Sequence, residues 1–243
     1  MGRYKINKNL NFCVIVARKG STRLPCKNKK KLLGKPLFQW TLESAIYADC
    51  FKQICMSTDD EDILQISSKY EGILLDRRPD SLCGANVKST EVLMYIMEKY
   101  CKKEYGFKNF CLLQPTSPFR NVNHIQTSMD MLEKQDTKFV IGIKQYDTPP
   151  EFALSIDSGL KPIQEGYLTR ITRTQDIKKT FHPAGGLYVG NIDSFLKNRH
   201  FYGPTSKGIL LDHISAWDIN DDNDFKIAEI FAKFVKNQNE LIK

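Results

Sequence analysis

Two kinds of segment alternate along the chain. Short apolar runs rich in Val, Ile and Leu, with no helical period, give way to longer stretches in which apolar residues recur every three or four positions. The first run, Phe12-Cys-Val-Ile-Val-Ala17, reads as a buried central strand of a parallel sheet. Pro36 then stands where a helix begins, and Leu37, Trp40, Thr41, Ser44, Ala45 and Ala48 follow at helical spacing. Residues 53–58 predict a second strand, Asp59-Asp60-Glu61-Asp62 the acidic start of a helix, and residues 72–75 a third strand. A helix over 90–102, a strand over 109–113, a helix over 122–133 and a strand over 138–143 continue the alternation. Strand and helix in turn predict an α/β chain with a mostly parallel sheet.

Over residues 144–183 the alternation stops. Pro149, Pro150 and Pro162, turn residues and the lack of a strong period predict an inserted subdomain rather than another βα unit. Regular patterning resumes as strands at 186–189 and 209–214 and a final helix over 222–235. The expected organisation is a single domain, 1–243, carrying an insertion at about 144–183, which suits the 243-residue length.

Composition narrows the partners. Hydrophobic and charged contents of 41% and 26% are those of a soluble globular chain, and no apolar run approaches the roughly 18–20 residues that span a bilayer, so no membrane partner is expected. Residues 11–17 are too short for a secretory leader and run straight into charge. Seven scattered cysteines without a Cys-x-x-Cys pair argue against a disulfide framework and against zinc, and fit a reducing, cytoplasmic location. The net charge of +8 is spread over helices and termini without an aromatic-basic RNA motif, so no nucleic-acid partner is expected. Acidic ligands or plain compositional bias account for it.

The first strand delivers Arg18-Lys-Gly-Ser-Thr-Arg-Leu-Pro-Cys-Lys-Asn28. Ligands of parallel sheets sit outside the carboxyl ends of the strands, which puts this loop at the crevice. Gly20 and Ser21 permit close backbone approach, Arg18, Arg23 and Lys27 supply cationic donors, and Pro25 stiffens the loop. The loop has neither the three-glycine dinucleotide pattern nor the Gly-Lys-Ser/Thr end of a P-loop. On composition alone it also suits a solvated basic turn.

This segment resembles the N-terminal signature of the acylneuraminate cytidylyltransferase (CMP-sialic acid synthetase) family, Ala-Arg-x-x-Ser-x-x-Leu-Pro-x-Lys-Asn. Four more segments follow in that family's order: Arg78-Pro79-Asp80; Leu113-Gln-Pro-Thr-Ser-Pro-Phe-Arg120; Thr172-Arg-Thr-Gln-Asp176 leading to Ala184-Gly-Gly-Leu-Tyr188; and Trp217-Asp-Ile-Asn220 with Asp224. Together they span nearly the whole chain. The resemblance implies a Rossmann-like, mostly parallel-sheet nucleotide-diphospho-sugar transferase fold, with the insertion contributing to a homodimer. It implies CTP and an acidic nine-carbon sugar as substrates and Mg²⁺ as cofactor.

Carried over residue by residue, the resemblance places Arg18, Ser21, Lys27 and Asn28 on the nucleotide, with Arg18, Lys27 and Asp218 the catalytic group. Arg78 is a further phosphate candidate and equally an ordinary arginine after a strand. Gln114 falls to nucleotide or sugar, with Arg120 organising its loop. Arg173, Gln175, His182 and Tyr188 fall to the sugar, where a guanidinium pairs with a carboxylate; a lone loop histidine such as His182 equally suits a structural hydrogen bond.

Asp218 matches the family's first metal aspartate. Its usual second aspartate is here Asn220, so either that amide oxygen or Asp221 completes the site, and Asp221 and Asp222 equally suit a helix cap. Ala184-Gly185-Gly186 replaces a common Asn-Gly-Ala, and Thr174 stands where an arginine is expected. The 172–185 region resembles the pseudaminic branch and the 114–120 loop the sialic or legionaminic branch.

Rival readings are a cytidylyltransferase for an eight-carbon acid such as Kdo, a glycosyltransferase using Asp60-Glu61-Asp62 as its metal motif, and a non-catalytic nucleotide-binding module. Acidic residues in a first helical turn are favoured by the helix dipole, which gives the Asp60 cluster a purely structural alternative.

Overall fold

The computed structural model describes residues 7–101, 105–134, 136–156, 159–163 and 177–241. In chain order the main elements are β1 (Asn11–Val16), α1 (Leu37–Ala48), β2 (Gln53–Thr58), α2 (Glu61–Ser67), β3 (Ile73–Arg77), α3 (Ser89–Tyr100), β4 (Asn109–Leu113), α4 (Val122–Leu132), β5 (Phe139–Gln145), β6 (Phe181–Asn191), α5 (Ile192–Asn198), β7 (Ser206–Leu210) and α6 (Asp222–Leu241). These seven strands form one sheet in the order β7-β5-β6-β4-β1-β2-β3, beside two short two-stranded ladders, Lys31–Leu32 with Lys35–Pro36 and Leu154–Ser155 with Lys161–Pro162. β1 runs parallel to β2 and β4, β2 to β3, and β7 to β5, while β6 alone runs antiparallel between β4 and β5.

Burial on both faces explains why β1 reads as a continuous apolar run. Cys13 and Ile15 pack on one face with Phe38, Leu42 and Ala45 of α1 and Ile125 and Met129 of α4. Phe12 and Val14 pack on the other with Val92, Leu93 and Ile96 of α3 and Phe195 of α5. In α1 the buried residues Leu37, Phe38, Thr41, Leu42, Ala45 and Ala48 form one stripe at helical spacing, and the helix ends where Asp49 turns left-handed at φ 46°.

Three elements differ from the pattern reading. The strand expected at 186–189 is eleven residues long, 181–191, and is the antiparallel one. The late strand ends at Leu210 because Asp212 turns the chain: its carboxylate accepts from the Ile214 and Ser215 amides at 2.9 and 3.0 Å and from the Ser215 hydroxyl at 2.6 Å. The helix α5 is additional to the pattern; it starts where the Asn191 side chain accepts from the Ser194 amide at 3.0 Å.

Because every strand but β6 points the same way, the loops after β1, β2, β3 and β4 gather at one end of the sheet. The β6 strand enters at that same end. A register shift between Pro183 and Tyr188 bulges its first half out of the ladder.

Candidate active site

The loop after β1 is tied at both ends. Asn28 donates its side-chain amide to the Arg18 carbonyl at 2.9 Å, the Lys19 amide donates to Asp59 at 2.6 Å, and Arg18 reaches the Gly84 carbonyl at 3.3 Å. The loop also crosses to the turn before α6. Lys27 donates to the Ile219 carbonyl at 2.7 Å, and Arg23 to the side-chain oxygen of Asn220 at 2.9 Å.

That turn is held from the far side by the loop after β4. The Ile219 amide donates to the Thr116 carbonyl at 2.8 Å, and the Ser117 hydroxyl meets Asp218 at 3.4 Å. Asn220 gives its side-chain N–H to the other Asp218 oxygen at 3.0 Å. Asp221 accepts from the Asn223 and Asp224 amides at 2.9 and 3.0 Å, so its carboxylate caps α6, and Asp222 pairs with Lys30 and Lys226.

Arg120 lies beneath this floor, fully buried. It donates to the Gly186 carbonyl, to the Gln114 carbonyl at 3.5 Å and to the Thr41 hydroxyl at 3.1 Å, which is how it organises the 114–120 loop. Burial lowers it to about 10, with Cys111 and Cys13 opposing. The β6 bulge brings Gly185, at φ 82°, against Asp218: a Cβ there would lie 3.6 Å from the carboxyl carbon.

These segments enclose a cleft of about 310 Å³. Arg18, Ser21, Lys27, Asn28, Arg78, Gln114, Asp218 and Asn220 all line it. Burial pushes the Lys27 ammonium below the ordinary lysine range while Asp218 pulls the other way, and burial likewise lowers Arg78 against the pull of Asp59. Gln114 donates to the Ser89 hydroxyl at 3.0 Å, and these two residues also line a second cavity of about 340 Å³ beside Tyr188. Burial raises the Tyr188 phenol to about 12, and its ring lies 4.8 Å from that of Phe201.

Sequence reasoning missed part of this lining. Ala85, Val87 and Ser89 wall the first cleft; Lys88, Arg199, His200 and Tyr202 wall the second. None sits in a motif, and only the N-terminal end of α3 hints that Ser89 faces a crevice. His182 lines neither cavity: its ring packs 4.6 Å from that of Tyr146, and its Nδ1 lies 3.1 Å from the Pro183 carbonyl. Arg173 and Gln175 lie outside the described residues.

The acidic cluster at residue 60 has a structural occupation. Asp60 caps α2 by accepting from the Asp62 amide at 3.0 Å, and Lys29 pairs with Asp60 at 3.0 Å and with Asp62 at 2.6 Å. Among the described residues no group of three or more His, Cys, Asp or Glu is arranged around a metal position. The described helices include none long and apolar enough to cross a membrane.

A family model described as cytidylyltransferase matches residues 12–214. The pseudaminic acid cytidylyltransferase of Campylobacter jejuni is 27% identical over 223 residues, 92% of this chain and 96% of that protein. The CMP-N,N'-diacetyllegionaminic acid synthase of Legionella pneumophila is 29% identical over 238 residues, 95% and 99% of the two chains. A solved structure of CMP:2-keto-3-deoxy-manno-octonic acid synthetase complexed with CTP shares the fold, a Rossmann-like nucleotidyltransferase sheet, with a TM-score of 0.66 at 16% identity over 93% of this chain and 99% of that one. The family match takes in the whole sheet and the cleft loops after β1 to β4, and the chain belongs to the cytidylyltransferase family of nucleotidyltransferases.

Proposed function

We propose that the protein joins CMP from CTP to the anomeric hydroxyl of a nonulosonic acid of the pseudaminic, legionaminic or sialic type and releases pyrophosphate. The observation that supports this best is the cleft itself: Arg18 and Lys27 line one side, the Asp218 carboxylate another, and Gln114 and Ser89 lead to the cavity beside Tyr188. The relatives' substrates are both nine-carbon acids of this class, as the sequence resemblance implies. In the reaction the sugar oxygen bonds to the α-phosphorus as the bond to the pyrophosphate oxygen breaks, and the hydroxyl proton is released. Such a transfer asks for positioning and charge neutralisation more than covalent chemistry.

Arg18 and Lys27 serve the phosphates, with Ser21 and Asn28 shaping the loop that presents them and Arg78 adding a third cation. Gln114 serves the junction of nucleotide and sugar, and Tyr188 serves the sugar together with Arg173 and Gln175. The donor set fits Mg²⁺, a hard ion that takes one or two carboxylates plus phosphate oxygens and water. Asp218 would hold it, and the absent Cβ of Gly185 leaves room beside that carboxylate. When bound, Mg²⁺ supplies charge neutralisation for the departing pyrophosphate. Asn220 engages Arg23 through one lone pair of its side-chain oxygen, and the second lone pair is what it would offer as a neutral ligand.

The chain acts as one catalytic unit whose insertion, expected at about 144–183 and lying between Gln145 of β5 and Phe181 of β6, pairs two copies. Ile156, Leu160 and Ile163 are 78%, 72% and 68% exposed around the short ladder of Leu154–Ser155 with Lys161–Pro162, an apolar surface suited to a homodimer. Seven free thiols, five of them buried, suit a reducing cytoplasm.

The test is incubation with CTP, Mg²⁺ and a panel of pseudaminic, legionaminic, sialic and Kdo acids, measuring pyrophosphate and CMP-sugar with an EDTA control. Metal-dependent product from a nine-carbon acid is expected; product from Kdo alone selects the eight-carbon reading. Arg18→Met and Asp218→Asn should abolish turnover with the melting curve intact, and full activity in both overturns the assignment.

A further inference from the structure

We infer that Asp76, a residue outside the cleft, is a positioning residue for Arg78. The inference rests on the proposed role of Arg78 at the nucleotide phosphates.

Asp76 lies on β3 and is 1% exposed, yet its carboxylate is bonded on all sides. One oxygen accepts from Lys99 at 2.9 Å, Tyr100 at 3.0 Å and Tyr95 at 3.4 Å, all on α3; the other accepts from the Ser57 hydroxyl at 2.9 Å. Ser57 is directly opposite Asp76 in the β2–β3 register and is fully buried. Arg78 in turn donates to Ser57 twice, Nη2 to the carbonyl at 2.8 Å and Nε to the hydroxyl oxygen at 3.4 Å. Three donors from one helix, a carboxylate, a hydroxyl and a cleft guanidinium thus form one continuous chain.

The direction of the bonds is what gives Asp76 its effect. A serine hydroxyl has one proton. Because that proton goes to Asp76, Ser57 offers Arg78 only lone pairs, and the guanidinium is held by two acceptors on one residue. An asparagine at position 76 reverses this. Lys99 can only donate, so the amide oxygen stays on the α3 side and the amide N–H₂ meets the Ser57 oxygen. The hydroxyl proton loses its acceptor on β3 and the Ser57 oxygen now divides its lone pairs between the amide N–H and Arg78 Nε–H, so the guanidinium is fixed only by the Nη2 bond to the Ser57 carbonyl.

Two variants test this, with calorimetric binding of CTP in the absence of sugar acid and steady-state kinetics as readouts. Asp76→Asn and Ser57→Ala should each raise the Kd and KM for CTP about tenfold, the size expected for a hydrogen bond to a charged group, while kcat stays within about twofold. Should Asp76→Asn give no cooperative melt, Ser57→Ala decides the same question with a smaller change. The double-mutant cycle separates positioning from general stability. In an Arg78→Met background, adding Asp76→Asn or Ser57→Ala should raise the KM no further. A full additional tenfold on that background, or wild-type CTP binding by both single variants, overturns the inference. If Arg78→Met itself binds CTP as wild type, the phosphate role of Arg78 fails and this inference with it, whereas CMP-sugar formation by that variant leaves the cytidylyltransferase reading standing.

Discussion

Gly186 is where fold and chemistry meet most tightly, and replacing it by alanine tests both. A Cβ at this position would lie 2.6 Å from the Ser117 hydroxyl, closer than real Cβ atoms come, and 3.1 Å from Arg120 Nη1, a tight contact. Arg120 is fully buried and cannot swing out, and Ser117 is 1% exposed, so the strain moves backbone rather than a flexible tip. Overpacking of this kind costs about 2 kcal/mol. For a chain of this size that corresponds to a melting temperature lower by about 4–8 °C. Activity should fall as well, because Ser117 lies 3.4 Å from Asp218 and any shift is passed to that carboxylate. A displacement approaching 1 Å costs up to about a hundredfold in turnover. Two controls isolate the cause. Gly190→Ala puts a Cβ 2.5 Å from Phe139 and 2.8 Å from Phe110, away from the cleft, and should lower stability while leaving most of the activity of the folded protein. Gly20→Ala meets nothing within 4 Å and should melt as wild type. The assays are thermal unfolding and pyrophosphate release from CTP. A Gly186→Ala protein with wild-type melting and wild-type turnover refutes the argument.

Other outcomes follow from the same geometry. Asp60→Asn keeps an acceptor for the α2 cap but removes the charge that pairs with Lys29, and should lose about 1 kcal/mol, measured by denaturant titration, with kcat and metal dependence unchanged; lost metal dependence would revive the glycosyltransferase reading. Since burial lowers the Lys27 pKa and only its protonated form serves the phosphates, kcat/KM for CTP should fall on the alkaline side before an ordinary lysine titrates, and Lys27→Arg should move that limb to higher pH; an identical pH profile in the variant refutes the role. Ile156→Asp with Ile163→Asp should shift the sedimenting species from dimer to monomer, and an unchanged coefficient would dismiss the insertion as the pairing surface.

The central strand and the basic loop were legible because each obeys a local rule. A strand buried on both faces must be apolar throughout, and a loop that meets phosphates needs small residues and cations in one short stretch. Spacing alone also marked α1, β2, β4 and α4. The bounds of β6 and β7 were not legible, since the Pro183–Tyr188 bulge and the Asp212 turn depend on side-chain hydrogen bonds that carry no period. The Asp60 cluster had two readings in the sequence, and Lys29, thirty-odd residues away, selects the structural one.

What the sequence by itself determined is therefore the α/β class, the basic loop after β1, and the separate motifs around Gln114 and Asp218. Only the tertiary structure decided that these motifs share one cleft, that Asn220 gives its oxygen to Arg23 and its N–H to Asp218, that Asp221 caps a helix, that His182 packs on Tyr146, and that Asp76 stands behind Arg78 through Ser57. The physical reason is range. Periodicity and turn chemistry act over a few residues, whereas a bond such as Arg23 to Asn220 spans 197 positions and exists only once a parallel sheet has brought its strand ends to one side.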